Sequence, residues 1–187
     1  MEIGETLYLT DRKKWRAWLE KHFDNAREIW LIYPHKDSGK PRIPYNDAVE
    51  EALCFGWIDS TVKSYGKESS AQRFSPRKSN NSFSQQNKER LKWLLEHGML
   101  HPSVKEKAQQ IAKEKFVFPK DIIDELKADK TVWANYQNFS ESYQRIRVAY
   151  IDDARSRPDE FQKRLENFIK KTRENKMIGF GGIDKYY

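Results

Sequence analysis

The stretch that decides the fold is EALCFGWIDSTVK, Glu51 to Lys63. Ala48, Val49, Ala52, Leu53 and Phe55 recur with a helical period from Tyr45 to about Phe55, and Gly56 is placed to end that helix in a left-handed cap. The residues that follow alternate as a strand. WIDSTVKSY and SAQRFSPR, separated by GKES, read as a β-hairpin with its turn near Gly66. That turn sets Asp59 and Arg73 close to cross-strand register, and one residue of slip sends them to opposite faces.

Working outward, Thr10 is expected to cap a helix that carries Trp15, Trp18, Leu19 and Phe23 on its buried stripe and ends near Asn25. Ile29 to Tyr33, closed by Pro34, is a short apolar run of β-preferring residues and predicts a strand buried on both faces. After the hairpin, Ser82 with Gln85 resembles a capping box for a helix bearing Leu91, Leu94 and Leu95 that stops at Gly98. Further helices are expected at Val104–Ala112, after Pro119, around Tyr143 to Ala154, and along Phe161, Leu165, Phe168 and Ile169. The order predicts an α+β fold, with a small β-sheet and hairpin in the N-terminal half and a helical C-terminal half. The expected division is a core over 1–116, a helical module over 117–176 packed on it, and a Gly/aromatic tail over 177–187.

Composition narrows the function. The chain has 187 residues, a net charge of +7, and 37% hydrophobic against 34% charged residues. Six Trp, nine Tyr and ten Phe supply the large side chains a single core needs. One cysteine excludes an internal disulfide, and the opening MEIGETLYLTDRKKW lacks a basic region followed by an apolar run. A cytoplasmic protein with no transmembrane segment is expected, and the sequence does not set its oligomeric state. Gly-rich phosphate loops, G-x-S-x-G and H-E-x-x-H are absent, so no cofactor, metal or catalytic residue is expected. His97 and His101 have a ligand-like spacing, but Gly98 and Pro102 break the shared helical face. Cys54 reads as a packing residue, having no neighbouring His to form a thiolate pair.

Charge is concentrated. Val62 to Lys92 holds eight basic residues against two acidic ones. Within it, Arg73, Arg77 and Lys78 interleave with Phe74 and Phe83 among Ser and Asn residues, a mixture suited to phosphate contacts with base stacking, or to a solvated loop that caps the next helix.

The segments YNDAVEEALCFGWIDSTVK and RFSPRKSNNSFSQQNKERLKWLLEHGML resemble the YdeI/OmpD-associated family, labelled bacteriocin-protection proteins. The likeness runs from about Leu7 to Lys171. In the last module Ala154, Arg157-Pro158-Asp159, Arg164 and Leu165 follow the family, while Glu160-Phe161 stands where it carries Thr-Arg. The resemblance implies a bacterial, intracellular protein linked to bacteriocin or envelope-stress protection, and brings no catalytic residues with it.

Three functions of different classes follow. The leading one is a non-enzymatic binding protein for an anionic ligand, nucleic acid first, with Arg73, Arg77 and Lys78 on phosphates, Lys63 widening the field, and Trp57 or Phe74 stacking. The alternative is an enzyme or sensor for a small anionic metabolite, with Glu51 or Asp59 as acid/base beside Arg73 and Arg77. The third is an interaction protein whose basic C-terminal helices, with Arg145, Arg147, Arg155, Arg157, Lys163, Arg164, Lys170 and Lys171, bind an acidic partner or an anionic membrane, set against interspersed Asp and Glu residues that can pair with them along the helices.

Overall fold

The structure is a computed structural model, and its described residues are 2–78 and 83–179. The chain divides into two compact units, Met1–Ser82 with Leu94–Gln110, and Phe83–Trp93 with Ile111–Tyr187. The fold is α+β, with a sheet in the N-terminal half and helices alone thereafter.

In the first unit a four-stranded sheet has the order β1-β2-β4-β3, formed by β1 (Thr6–Leu7), β2 (Ile29–Pro34), β3 (Trp57–Tyr65) and β4 (Ser69–Pro76). All six residues of β2 are buried, as its unbroken apolar run requires of a central strand. It pairs in parallel with β1 and antiparallel with β4. The β3–β4 hairpin turns where expected, with Gly66 at φ +68°.

Side chains alternate across a strand, so the register sorts the sheet into two faces. Ile29 lies opposite Phe74 and Leu31 opposite Gln72 on one face; Trp30 lies opposite Arg73 and Ile32 opposite Ala71 on the other. Helices α1 (Arg12–His22) and α2 (Tyr45–Cys54) accompany the first face. Trp15 of α1 meets Phe74 edge-on at 5.5 Å and donates its indole N–H to the Ala48 carbonyl at 3.0 Å. The second face carries a smaller cluster of Trp30, Ile32 and Ala71 with Ile3 packed against it.

Asp11, one residue later than Thr10, caps α1 by accepting the Lys14 N–H at 3.0 Å, and its negative charge also suits the helix N-terminus. The helix stops at His22, and Phe23 to Asn25 continue only as a turn. Gly56, at φ +75°, ends α2 as its position predicts.

The helices that follow are α3 (Gln85–Glu96), α4 (Pro102–Lys113), α5 (Lys120–Lys127), α6 (Lys130–Asn138), α7 (Glu141–Asp152) and α8 (Pro158–Arg173). Ser82 lies outside the described residues, as do Ser79, Asn80, Asn81 and most of the 177–187 tail. The side chain that receives the Asn87 N–H of α3 is Ser84, at 3.3 Å. In α4, Val104, Ala108 and Ile111 are buried as the period predicts, while Ala112 is exposed. α6 was not anticipated, because Thr131, Val132, Trp133 and Tyr136 favour strands. Asp129 starts it nonetheless, accepting the N–H groups of Thr131 and Val132 at 2.8 and 3.0 Å. The core of the second unit joins Ile122, Leu126, Val132, Tyr136, Tyr143, Val148, Ile151, Leu165 and Phe168. Among the described residues no helix is long and apolar enough to cross a membrane.

Candidate functional site

Polar groups from several chain segments surround Asp59 in the first unit, with Tyr33 opposite Ser70 toward the Gly66 end of the sheet and Arg77 beyond Pro76 toward the other end. β2 ends near Tyr33, α2 begins at Tyr45 directly after Pro44, and Asp59 enters β3 three residues after the Gly56 stop. The Tyr45 hydroxyl donates to Asp59 Oδ2 at 2.5 Å. Arg77 follows β4, its backbone N–H held by the Gly56 carbonyl at 2.9 Å. Its guanidinium is partly buried; desolvation pulls its pKa below the usual arginine range, and the Asp59 charge acts against that. Tyr33 is 7% exposed and its hydroxyl is buried with no hydrogen-bond partner among the described residues. Burial, followed by the charges of Tyr45 and Asp59, pushes its pKa up, while Arg42 acts in the opposite sense. Two phenols, a carboxylate and a partly desolvated guanidinium are thus coupled through Asp59.

The other expected site residues lie elsewhere. Glu51 is 1% exposed, and both carboxylate oxygens are engaged. Oε1 accepts from Arg12 Nε, and Oε2 from Arg16 Nη1 at 2.8 Å. Neighbouring Glu50 takes Arg12 Nη1 at 2.8 Å, and Arg16 also donates to the Met99 carbonyl at 3.1 Å. Burial alone would lower both guanidinium pKa values, but the Glu51 contacts, joined by Glu50 at Arg12 and Cys54 at Arg16, outweigh it and raise them. Cys54 ends the same helix as a buried thiol pushed up to about 12, chiefly by desolvation and then by the Glu51 charge.

Asp59 and Arg73 do not face each other. Asp59 lies opposite Phe74, and an irregularity between Asp59 and Val62 shifts the register of β3, so Arg73 points to the other face of the sheet. There its Nε and Nη2 grip Glu28 Oε2 at 2.7 and 2.6 Å, and Nη1 donates to Ser60 Oγ at 3.2 Å. The same Glu28 accepts the Trp30 indole N–H at 2.9 Å. Trp57 is buried, donates to the Phe23 carbonyl at 2.9 Å and meets Trp18 edge-on at 5.7 Å. Phe74 is fully buried. Neither ring has a free face for a stacking base. Lys63 is half-exposed on β3 opposite Ala71, and Lys78 is exposed.

Of the expected group, the structure therefore brings Asp59 and Arg77 together and sends Glu51 and Arg73 into separate ion pairs. Tyr33, Arg12 and Arg16 escaped notice. The available signal was the one-turn spacing of Arg12 and Arg16 on the helix that also buries Trp15 and Leu19. His101 packs between the rings of Phe23 and Phe55 at 4.6 and 5.3 Å, and no group of His, Cys, Asp or Glu suited to a metal occurs among the described residues.

Residues 7–107, over half the chain, match the family described as a domain of unknown function, DUF8412. The chain belongs to that family. The DUF8412 region contains Tyr33, Tyr45, Asp59 and Arg77. Residues 115–175 match a second family, described as bacteriocin-protection, YdeI or OmpD-associated, so the resemblance to it holds for the helical module. The Glu51–Lys63 stretch falls instead within the DUF8412 match. No curated protein and no solved structure matches the chain significantly. The surface is basic, in keeping with an anionic partner.

Proposed function

We propose that the protein is a non-enzymatic binding protein for a small anionic ligand, taken up beside Asp59 with Arg77 as its cation. The carrying observation is the partly buried Arg77, fixed at the strand end by its backbone N–H on the Gly56 carbonyl at 2.9 Å, together with Asp59, which accepts the Tyr45 hydroxyl at 2.5 Å. A partly desolvated guanidinium holds a phosphate or carboxylate more strongly than a hydrated one and can do so bidentately. Asp59 and the two phenols supply an acceptor and donors for a polar group beside that anion. Glu51, one of two acid/base candidates in the enzyme alternative, has both oxygens occupied by arginines, which favours binding over catalysis. The reading sets the protein in the cytoplasm, where a lone thiol stays reduced. Protection against a bacteriocin or another envelope-active agent is the cellular role to test first, from the family description attached to residues 115–175.

Calorimetric titration with inorganic phosphate and with a nucleoside monophosphate tests the site. Arg77→Ala is expected to weaken binding about tenfold or more, equivalent to ~1.4 kcal/mol, while Arg73→Ala, committed to Glu28 on the opposite face, binds as the unaltered protein does. Equal losses in both variants would dissolve the assignment.

Nucleic acid remains the second reading because Tyr65 is 42% exposed on the hairpin, where Lys67 is also exposed, with Lys78 exposed just beyond β4. Stacking would then fall to Tyr65 in place of Trp57 or Phe74. Anisotropy of labelled oligonucleotides at low and near-physiological salt, with Tyr65→Ala and Lys67→Ala/Lys78→Ala, decides it, since phosphate binding must weaken as salt rises.

A further inference from the structure

Between α4 and α5 the second unit carries an irregular stretch of six residues, Glu114 to Pro119, with the apolar run Phe116-Val117-Phe118 inside it. The adjoining helices hold both ends. The Glu114 N–H donates to the Ile111 carbonyl at 3.1 Å, and the Pro119 carbonyl accepts the Ile123 N–H at 3.2 Å. Of the three apolar side chains the core takes one: Phe116 packs against it and meets the Phe118 ring edge-on at 4.8 Å. Val117 is left in solvent. At 82% it is the most exposed large hydrophobic side chain among the described residues, and Phe118 beside it is 37% exposed. A lone exposed apolar side chain is ordinary on a protein surface; adjacent ones held in place and set among charges of one sign mark a contact surface.

The uncommitted charge around this run is positive. Lys113 and Lys115 are exposed and form no ion pair among the described residues. Lys120, on the other side of the run, is exposed and donates to Asp124 at 2.5 Å. The three carboxylates nearest in sequence are each bound by a cation: Glu114 by Lys88, Asp121 by Arg155 through two nitrogens at 2.8 and 2.9 Å, and Asp124 by Lys120.

The pairing of chemistries selects the partner. A nucleic acid would engage the lysines, but its phosphates and base faces give an aliphatic side chain little to bury against. The surface of an anionic bilayer accepts both at once, because apolar side chains enter the boundary between headgroups and acyl chains while lysines keep their ammonium groups among the headgroups. We propose that residues 113–120 dock the protein on an anionic phospholipid surface, with Val117 and Phe118 below the headgroups and Lys113, Lys115 and Lys120 at their level. Two side chains bury less apolar surface than a single acyl chain, so the contact is shallow and reversible. It is independent of the site at Asp59 and Arg77.

Flotation of the full chain with vesicles tests this. Phosphatidylcholine vesicles containing about one third phosphatidylglycerol are compared with phosphatidylcholine alone, at low and near-physiological salt. Binding is expected to be about tenfold or more stronger on the anionic vesicles and to fall as salt rises. Lys113→Gln/Lys115→Gln should weaken it about tenfold, and Val117→Asp by about as much. Lys163→Gln/Lys170→Gln, which removes two exposed charges elsewhere in the same unit, and Arg77→Ala should weaken it at most about twofold. Cys54 is buried, so a thiol introduced by Val117→Cys can carry an environment-sensitive fluorophore, whose emission should move to the blue on anionic vesicles. Equal flotation with neutral vesicles, flotation with neither, a loss in Lys163→Gln/Lys170→Gln matching that in Lys113→Gln/Lys115→Gln, or a fluorophore that keeps its aqueous emission would each overturn the proposal. So would an oligonucleotide held more tightly than the vesicles and lost with Val117→Asp, which gives the patch to nucleic acid.

Discussion

Arg73 and Arg77 lie four residues apart at one end of the hairpin, in a segment whose composition treats them alike, yet the fold uses them differently. Arg73 has a carboxylate and a hydroxyl within reach on its face of the sheet and is bound by both. Arg77 lies just past the strand end, where its guanidinium loses solvent and feels the Asp59 charge. The same contrast separates Glu51 from Asp59. The first sits between two arginines; the second takes one phenol hydroxyl. Charged groups that the fold holds in very different surroundings can stand side by side in the sequence.

The contrast breaks most visibly at Glu51. Glu51→Ala removes the shared acceptor of Arg12 and Arg16, and leaving buried charge uncompensated should cost about 3 kcal/mol of stability, read as a lower urea midpoint. If the loss is under ~1 kcal/mol, Glu51 is not a structural carboxylate.

Next in size is Glu89, which is 5% exposed and held by Arg145 at 2.8 and 3.0 Å. Burial alone would raise its carboxyl, but hydrogen bonds from Arg145 and Gln85 outweigh burial and hold it below its ordinary value of 4.5. The folded state therefore favours the ionised form. The stabilisation is fully present above about pH 4.5 and is lost as pH falls through the lower folded value. Urea midpoints measured from neutral pH down to about pH 3 should fall more steeply for the unaltered protein than for Glu89→Gln, with a difference of about 2 kcal/mol at neutral pH.

Arg73→Ala should cost about 1 kcal/mol, since both partners are partly exposed, and should leave anion binding intact. The smallest effect is at Tyr33. Removing a buried hydroxyl that has no partner should leave stability within ~0.5 kcal/mol of the unaltered protein or raise it, while weakening any ligand that uses the hydroxyl. A Tyr33→Phe protein that loses stability would show that the group is bonded after all.

Much of the first unit was legible in the sequence because its signals are local. The apolar run of β2, the Gly56 stop and the Gly66 turn each act over a few residues, and all three appear where they were expected. Half of the candidate site was legible for the same reason, since Asp59 and Arg77 flank one hairpin. The rest depended on distant or cumulative geometry. Arg12 reaches Glu50 and Glu51 across 38 and 39 residues, and the register shift between Asp59 and Val62 sorts Arg73 away from Asp59. Tyr33 reads as one more apolar strand residue until its hydroxyl is located. In the helical half, the basic residues of α7 and α8 were visible as a class, but only the packing shows that Arg164 is spent on Glu160 and Tyr150 while Lys163 is not.

The indoles of the first unit have an optical consequence. Trp15 and Trp18 stack at 5.3 Å, and Trp57 meets Trp18 edge-on at 5.7 Å. Rings this close share excited states, so their electronic transitions couple into an exciton signal in circular dichroism. In the second unit Trp133 is paired with a tyrosine, Tyr136. Thermal loss of the couplet that Trp15, Trp18 and Trp57 contribute would therefore follow the melting of the sheet-bearing unit in the intact chain, with no label attached.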